Sequence, residues 1–220
     1  MKRFFESILE INGYMLLLGI IASYSLITYL TYELIITDDI IYNFFSGQLP
    51  EAYMGRVIEM QKKWNWVNYV LSPIVLLIKW LFISAFLSAG ALLSNVRIGF
   101  GRIYKMTMWG ELIFIAVAGI NLIVLYFSNI TSLDQIHEMT ITNQMSAGIL
   151  IKLYEGPEWL SLPFYALNIP EILFTLFIVV GFGVLIGETI KEHTKWVISS
   201  YWSYLSLWII LLIYLNVTYA

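Results

Sequence analysis

The sequence contains no cysteine, which excludes disulfides, thiolate metal sites and thiol nucleophiles. Histidine is scarce as well. His137 and His193 are the only two, and neither falls in a long apolar run. No HExxH spacing exists, so a metal-hydrolase site and a haem held by two membrane histidines are not expected. No cofactor is expected either. Charge is the third scarcity: only 12% of the 220 residues are Asp, Glu, Lys or Arg, against about 25% in soluble domains. The net charge of −3 and the lack of a basic patch argue against nucleic acid as a partner. No phosphate-binding glycine loop is present; the GFGR beginning at Gly99 follows no strand and lacks the remaining glycine spacing. Ser84 and Ser88 have only Lys79 nearby in sequence as a base, thin support for a serine–lysine nucleophile. These absences point away from an enzyme.

What is there is apolar: 60% of the chain is hydrophobic and 16% aromatic. A helix of about 20 apolar residues crosses the hydrocarbon core of a bilayer. Five such runs are predicted, at approximately 14–36, 68–94, 106–128, 170–188 and 196–219. The expected fold class is therefore all-α, a polytopic membrane helical bundle forming one transmembrane domain over residues 1–220. Lys2 and Arg3 resemble the start of a signal peptide. Glu6 and Glu10 follow, however, and the apolar run is too long, so it reads as the first span. Phe4, Phe5, Ile8 and Leu9 recur at helical spacing ahead of it, either as an interfacial helix or as the wet end of that span.

Orientation follows from the basic residues. The stretch from Arg97 to Lys105 carries Arg97, Arg102 and Lys105 and no acid, and Gly99 and Gly101 around Phe100 suit a tight turn there. Lys2, Arg3, Lys191 and Lys195 fall on the same side, whereas Arg56, Lys62, Lys63 and Lys152 are spread over two much longer loops. The positive-inside rule then places the amino terminus in the cytoplasm and the carboxyl terminus outside, with a bacterial inner membrane the expected location. The NIT at Asn129 and NVT at Asn216 are glycosylation acceptors only in a secretory compartment. Both outer loops are expected to carry amphipathic helices on the membrane surface. One runs from Pro50 to Trp64 and has a partner-binding alternative; the other covers Gln144 to Tyr154 and follows a possible capping box at Ser132 and Gln135.

Small residues mark helix-packing faces: Ser84, Ser88, Gly90 and Ser94 in the second span, and Gly183 with Gly187 in the fourth. Such steps let helices approach closely, here within the chain in preference to between copies. The polar residues inside or at the ends of the spans are Lys79, Glu111, Asn121, Glu171 and Glu33. Intramembrane ionisable groups are functional candidates by default. Counting at 1.5 Å per residue from the centres of the apolar stretches Ile74–Leu93 and Met106–Phe127 puts Lys79 about 7 Å to the outer side and Glu111 about 8 Å to the inner side. A separation of about 15 Å forbids contact. The expected partner of Lys79 is Glu171 or Glu33, forming an outer clamp, with Glu111 apart, neutral or near Arg102 and Lys105.

Two stretches, SNVRIGFGRIYKMTMWGELIF from Ser94 and LNIPEILFTLFIVVGFGVLIGETIKEHTKW from Leu167, resemble the Yip1 family of small polytopic membrane proteins over residues 70–219. In the first, a glycine–phenylalanine pair leads from the cytoplasmic turn into the third span; the second is a glycine-bearing span followed by a short basic turn. The acidic, proline-bearing cytoplasmic signature of the family's eukaryotic members is absent. The resemblance implies five spans, an inward amino terminus and action through partners. The expected function is a non-catalytic scaffold or accessory subunit of a membrane complex, with the lipid bilayer and other membrane proteins as partners. The alternative is a transporter or channel subunit that uses Lys79 and Glu111.

Overall fold

The computed structural model describes residues 2–46, 48–157, 160, 163–186 and 190–219. Eleven helices are found among them: α1 (Lys2–Glu10), α2 (Gly13–Leu34), α3 (Asp38–Phe45), α4 (Glu51–Trp64), α5 (Trp66–Leu93), α6 (Phe100–Phe127), α7 (Leu133–Met139), α8 (Ile141–Gln144), α9 (Ala147–Leu153), α10 (Ile169–Ile186) and α11 (Ile190–Tyr219). No strand occurs among the described residues; an isolated bridge joins Ser146 and Asn168. Five helices are long and apolar enough to cross a membrane: α2, α5, α6, α10 and residues Thr194–Thr218 of α11. The chain is thus all-helical with the dimensions of an integral membrane protein.

Helices α5 and α6 are joined by residues 94–99 alone, and this turn has an identifiable lock. The amide of Val96 donates to the Ala91 carbonyl at 2.8 Å and that of Asn95 to Leu92 at 3.1 Å, with Asn95 left-handed at φ 57°. This paired closure at a helix C-terminus puts glycine or asparagine at the left-handed position. The tight turn therefore lies at Asn95. Gly99 is extended and Gly101 is already inside α6, so the expected turn around Phe100 is corrected. Arg102 and Lys105 consequently belong to the first turns of α6 and only Arg97 remains in the loop.

The main core is built by α1, α5, α6, α10 and α11 around Ile83, Leu87, Ile103, Met106, Phe174, Ile178, Phe182, Val197 and Tyr201. A second cluster, Leu16, Ile20, Trp80 and Met108, forms the seam where α2 meets α5 and α6. In lipid no hydrophobic force drives helices together, so close packing and interhelical hydrogen bonds must do so. Two glycines show how close the backbones come. A Cβ on Gly90 would sit 1.7 Å from Ser200 Oγ of α11, and one on Gly110 would sit 2.4 Å from the Phe174 ring of α10.

The segment α1 is neither free at the membrane surface nor a mere extension of α2. Phe5 and Ile8 are buried, and the Phe5 ring lies 5.7 Å from Phe177 of α10. Lys105 Nζ donates to the carbonyls of Leu9 and Ile11 at 3.0 and 3.1 Å, and Trp109 Nε1 donates to Ile8 O at 2.9 Å. A lysine at a helix C-terminus meets both the unpaired carbonyls and the negative end of the helix dipole. The cation expected in a solvated basic turn thus holds α1 against the bundle.

At the opposite end, α3, α4, α7, α8 and α9 form the two long connections. Asn43 Nδ2 donates to Thr131 O at 3.2 Å and ties one connection to the other. Within each, an exposed ion pair joins elements: Lys62 with Asp38 at 2.6 Å in the first, Lys152 with Glu138 in the second. The hydrogen bond and charge of Lys152 hold the Glu138 carboxyl below the usual carboxylate range. The expected helix over Gln144–Tyr154 is broken at Met145 and Ser146, because the backbone there pairs instead with the entry to α10: Ala147 N to Leu167 O at 2.8 Å and Ile169 N to Met145 O at 3.1 Å. Ser132 makes no side-chain cap; Gln135 Oε1 accepts from the Thr131 amide at 2.8 Å, so one arm of the expected box exists, one residue early.

Candidate functional site

The middle of the bundle holds one polar centre. Glu111 of α6, 1% exposed, is reached by side chains of α2 and α5. Tyr24 Oη of α2 donates to Oε1 at 2.7 Å. Lys79 Nζ of α5 donates to both carboxylate oxygens, at 3.2 Å to Oε1 and 3.0 Å to Oε2. Trp80 Nε1 donates to Oε2 at 2.9 Å. A carboxylate has about four lone-pair directions, and all four here meet a donor. The ammonium also lies 3.9 Å from the centroid of the Phe114 ring, a cation–π contact.

The contact between Lys79 and Glu111 corrects the sequence expectation. Helix α5 spans 66–93 and α6 spans 100–127, each 28 residues, because both continue into flanks that the apolar runs leave out. Their midpoints lie four and three residues from the centres of the runs 74–93 and 106–127. Both shifts bring the two side chains together, by about 10 Å in total. Lys79 lies at the middle of its helix and Glu111 under three residues from the middle of its own. A lysine side chain easily spans the remaining few ångströms of depth.

The proposed alternative partners stand elsewhere. Glu33 is exposed near the end of α2 and makes no ion pair among the described residues. Glu171, in the first turn of α10, accepts a hydrogen bond from Tyr201 Oη of α11, and its amide donates to Asn168 Oδ1 at 3.0 Å. Lys79 and Glu171 line the same groove, although they are not paired. Asn121 works as a cap: its Oδ1 accepts from the Ile141 amide at 2.8 Å and its Nδ2 donates to Thr142 Oγ1 at 3.0 Å, fastening α8 to the end of α6. Arg97 and Arg102 are exposed.

Among the small residues, Ser84 is fully buried and bonds Thr107 of α6 at 3.1 Å. Thr107 spends its own proton on Tyr104 O, so Ser84 is the donor. Gly90 admits Ser200. Ser88 Oγ is buried without a hydrogen-bond partner. Ser94 is the exposed cap residue of α5, its amide donating to Gly90 O at 3.0 Å, and it lines a groove shared with Lys195, Trp196 and Ser199 of α11. Gly183 is buried in α10, and Gly187, Glu188 and Thr189 lie outside the described residues; from Ile190 the chain is already helical, in α11.

Sequence reasoning passed over Tyr24, Trp80 and Tyr201. The usable signal is that aromatic rings with polar tips seek a partner when buried, and Trp80 directly follows the lysine. No three His, Asp or Glu side chains converge among the described residues to hold a metal ion. The centre can fix helices, and its single ammonium can exchange one carboxylate for another. Compared with protein-family models, curated proteins and solved structures, the chain matches none.

Proposed function

We propose that this protein is a non-catalytic integral membrane subunit that acts as a scaffold or accessory component of a membrane complex. The observation carrying this reading is the saturated Glu111 carboxylate. Donors from α2 and α5 occupy this carboxylate of α6, so the strongest polar group in the bundle is spent on joining three spans. The surface left for function is then the apolar circumference of the helices. Helix α2 is the least buried of the five spans, with Tyr14, Met15, Leu18, Leu26 and Tyr29 exposed. In this reading the amino terminus faces the cytoplasm of a bacterium, the carboxyl terminus faces outward across the inner membrane, α4 and α9 rest on the outer surface, and the chain belongs with the Yip1 family. Purification in mild detergent from the native membrane tests it. A second integral membrane protein is expected in stoichiometric amount; a strictly monomeric particle with nothing bound refutes the reading.

A second reading, a transporter or channel subunit, is favoured by the Lys79–Glu111 contact itself. An ammonium and a carboxylate at mid-span are a charge pair that a permeating ion or proton can disrupt. Solute or proton flux in liposomes decides this one. Flux lost in Lys79→Met and in Glu111→Gln, at unchanged folded yield, supports it; unchanged flux removes it.

A further inference from the structure

Between α5 and α11 lies a groove of about 540 Å³ that runs from Lys79 at mid-span toward Glu171 at the start of α10. Its walls are largely apolar and aromatic, Phe82 and Phe86 on one side, Tyr204, Trp208 and Leu211 on the other. That volume falls within the range of small-molecule sites, about 300–1,000 Å³. The charges around it do not balance. Among the described residues that line it, Lys79 is the one cation and Glu171 the one carboxylate, and Lys79 already gives two hydrogen bonds to Glu111 behind it, so one ammonium faces two carboxylates. Glu111 has four donor contacts, whereas among the described residues the Glu171 carboxylate has only the phenol of Tyr201. A carboxylate in low dielectric calls for a compensating positive charge, and Glu171 has none of its own.

We infer that this groove binds a hydrophobic monovalent organic cation from the lipid phase, with its charge against Glu171 and its apolar body between the aromatic walls. The sign of the charge imbalance selects a cation over an anion or a neutral lipid tail. The aromatic faces reinforce the choice, because ring quadrupoles attract a weakly hydrated cation. A cation and a proton would compete for this one carboxylate. Lys79 sets the polar end of the groove, and Tyr201 of α11 donates its phenol hydrogen to Glu171. This inference holds whether or not the protein is part of a larger complex.

The test uses the full chain in nanodiscs of zwitterionic lipid, with tetraphenylphosphonium as the probe and tetraphenylborate, of equal size and opposite charge, as the control. We expect saturable binding of one tetraphenylphosphonium per chain, weaker at low pH, and no saturable binding of tetraphenylborate. Glu171→Gln keeps an acceptor for Tyr201 and is expected to weaken binding at least tenfold. Trp208→Ala removes a wall at a half-exposed position and is expected to weaken it several-fold at unchanged thermal midpoint. Binding of both ions alike, binding indifferent to both substitutions, or no saturable binding of the phosphonium overturns the inference.

Discussion

At the scale of the residue, Glu111 sets the terms. A buried pair broken from one side costs about 3–5 kcal/mol, because the remaining charge is left uncompensated. Lys79→Met leaves Glu111 with the neutral donors Tyr24 and Trp80 alone. We expect it to lower the thermal midpoint in detergent by several degrees. The double variant Lys79→Met with Glu111→Gln removes both charges and keeps an acceptor for a phenol or indole, so most of the loss should be recovered. Equal losses in the single and double variants contradict an electrostatic origin. That Lys79 and Glu111 matter was legible in the sequence, since charged residues are rare in spans; that they touch was not. Depth was counted from apolar runs, whereas the peptide hydrogen bonds continue the helices through Trp66–Asn68 and Phe100–Lys105, which carry polar or amphipathic side chains.

At the scale of the element, two glycines and one asparagine define how the helices sit. Gly110 faces the ring of Phe174, a fully buried side chain with no room to retreat. Overpacking of this kind costs about 1–3 kcal/mol. Gly110→Ala is expected to destabilise the bundle by that order, and Phe174→Leu in the same chain to return part of it; an unchanged thermal midpoint in Gly110→Ala contradicts the packing described. Asn121→Ala deletes two hydrogen bonds to α8, about 0.5–1.5 kcal/mol each. Its effect should be local: faster amide exchange over Ile141–Gln144 with the spans unchanged. The apolar core of each span was legible from hydropathy, and α4 from its proline, acids and terminal lysines. The docking of α1 was not, because the same spacing of Phe5 and Ile8 serves equally to meet lipid or protein. Nor was the break at Met145, which arises from pairing with residues over twenty positions away.

At the scale of the whole molecule, both described short ends of the bundle, α1 and the turn 94–99, lie at one pole, and the two long connections lie at the other. With no native cysteine, one introduced thiol reports one position. Gly99→Cys and His193→Cys should react with a membrane-impermeant maleimide only after permeabilisation, and Lys62→Cys without it. Labelling of position 99 in intact cells reverses the proposed orientation. The Lys79–Glu111 pair also has a consequence for biosynthesis. A lysine at the centre of a helix resists entry into lipid by about 2.5–3.5 kcal/mol. Its carboxylate partner lies 32 positions later in the chain. At about 5–20 residues per second, the ribosome delivers it roughly two to six seconds after the lysine. During that interval α5 carries an ammonium whose carboxylate partner is not yet made, so holding α5 until α6 arrives and releasing the two as a charge-neutral hairpin spares it that cost.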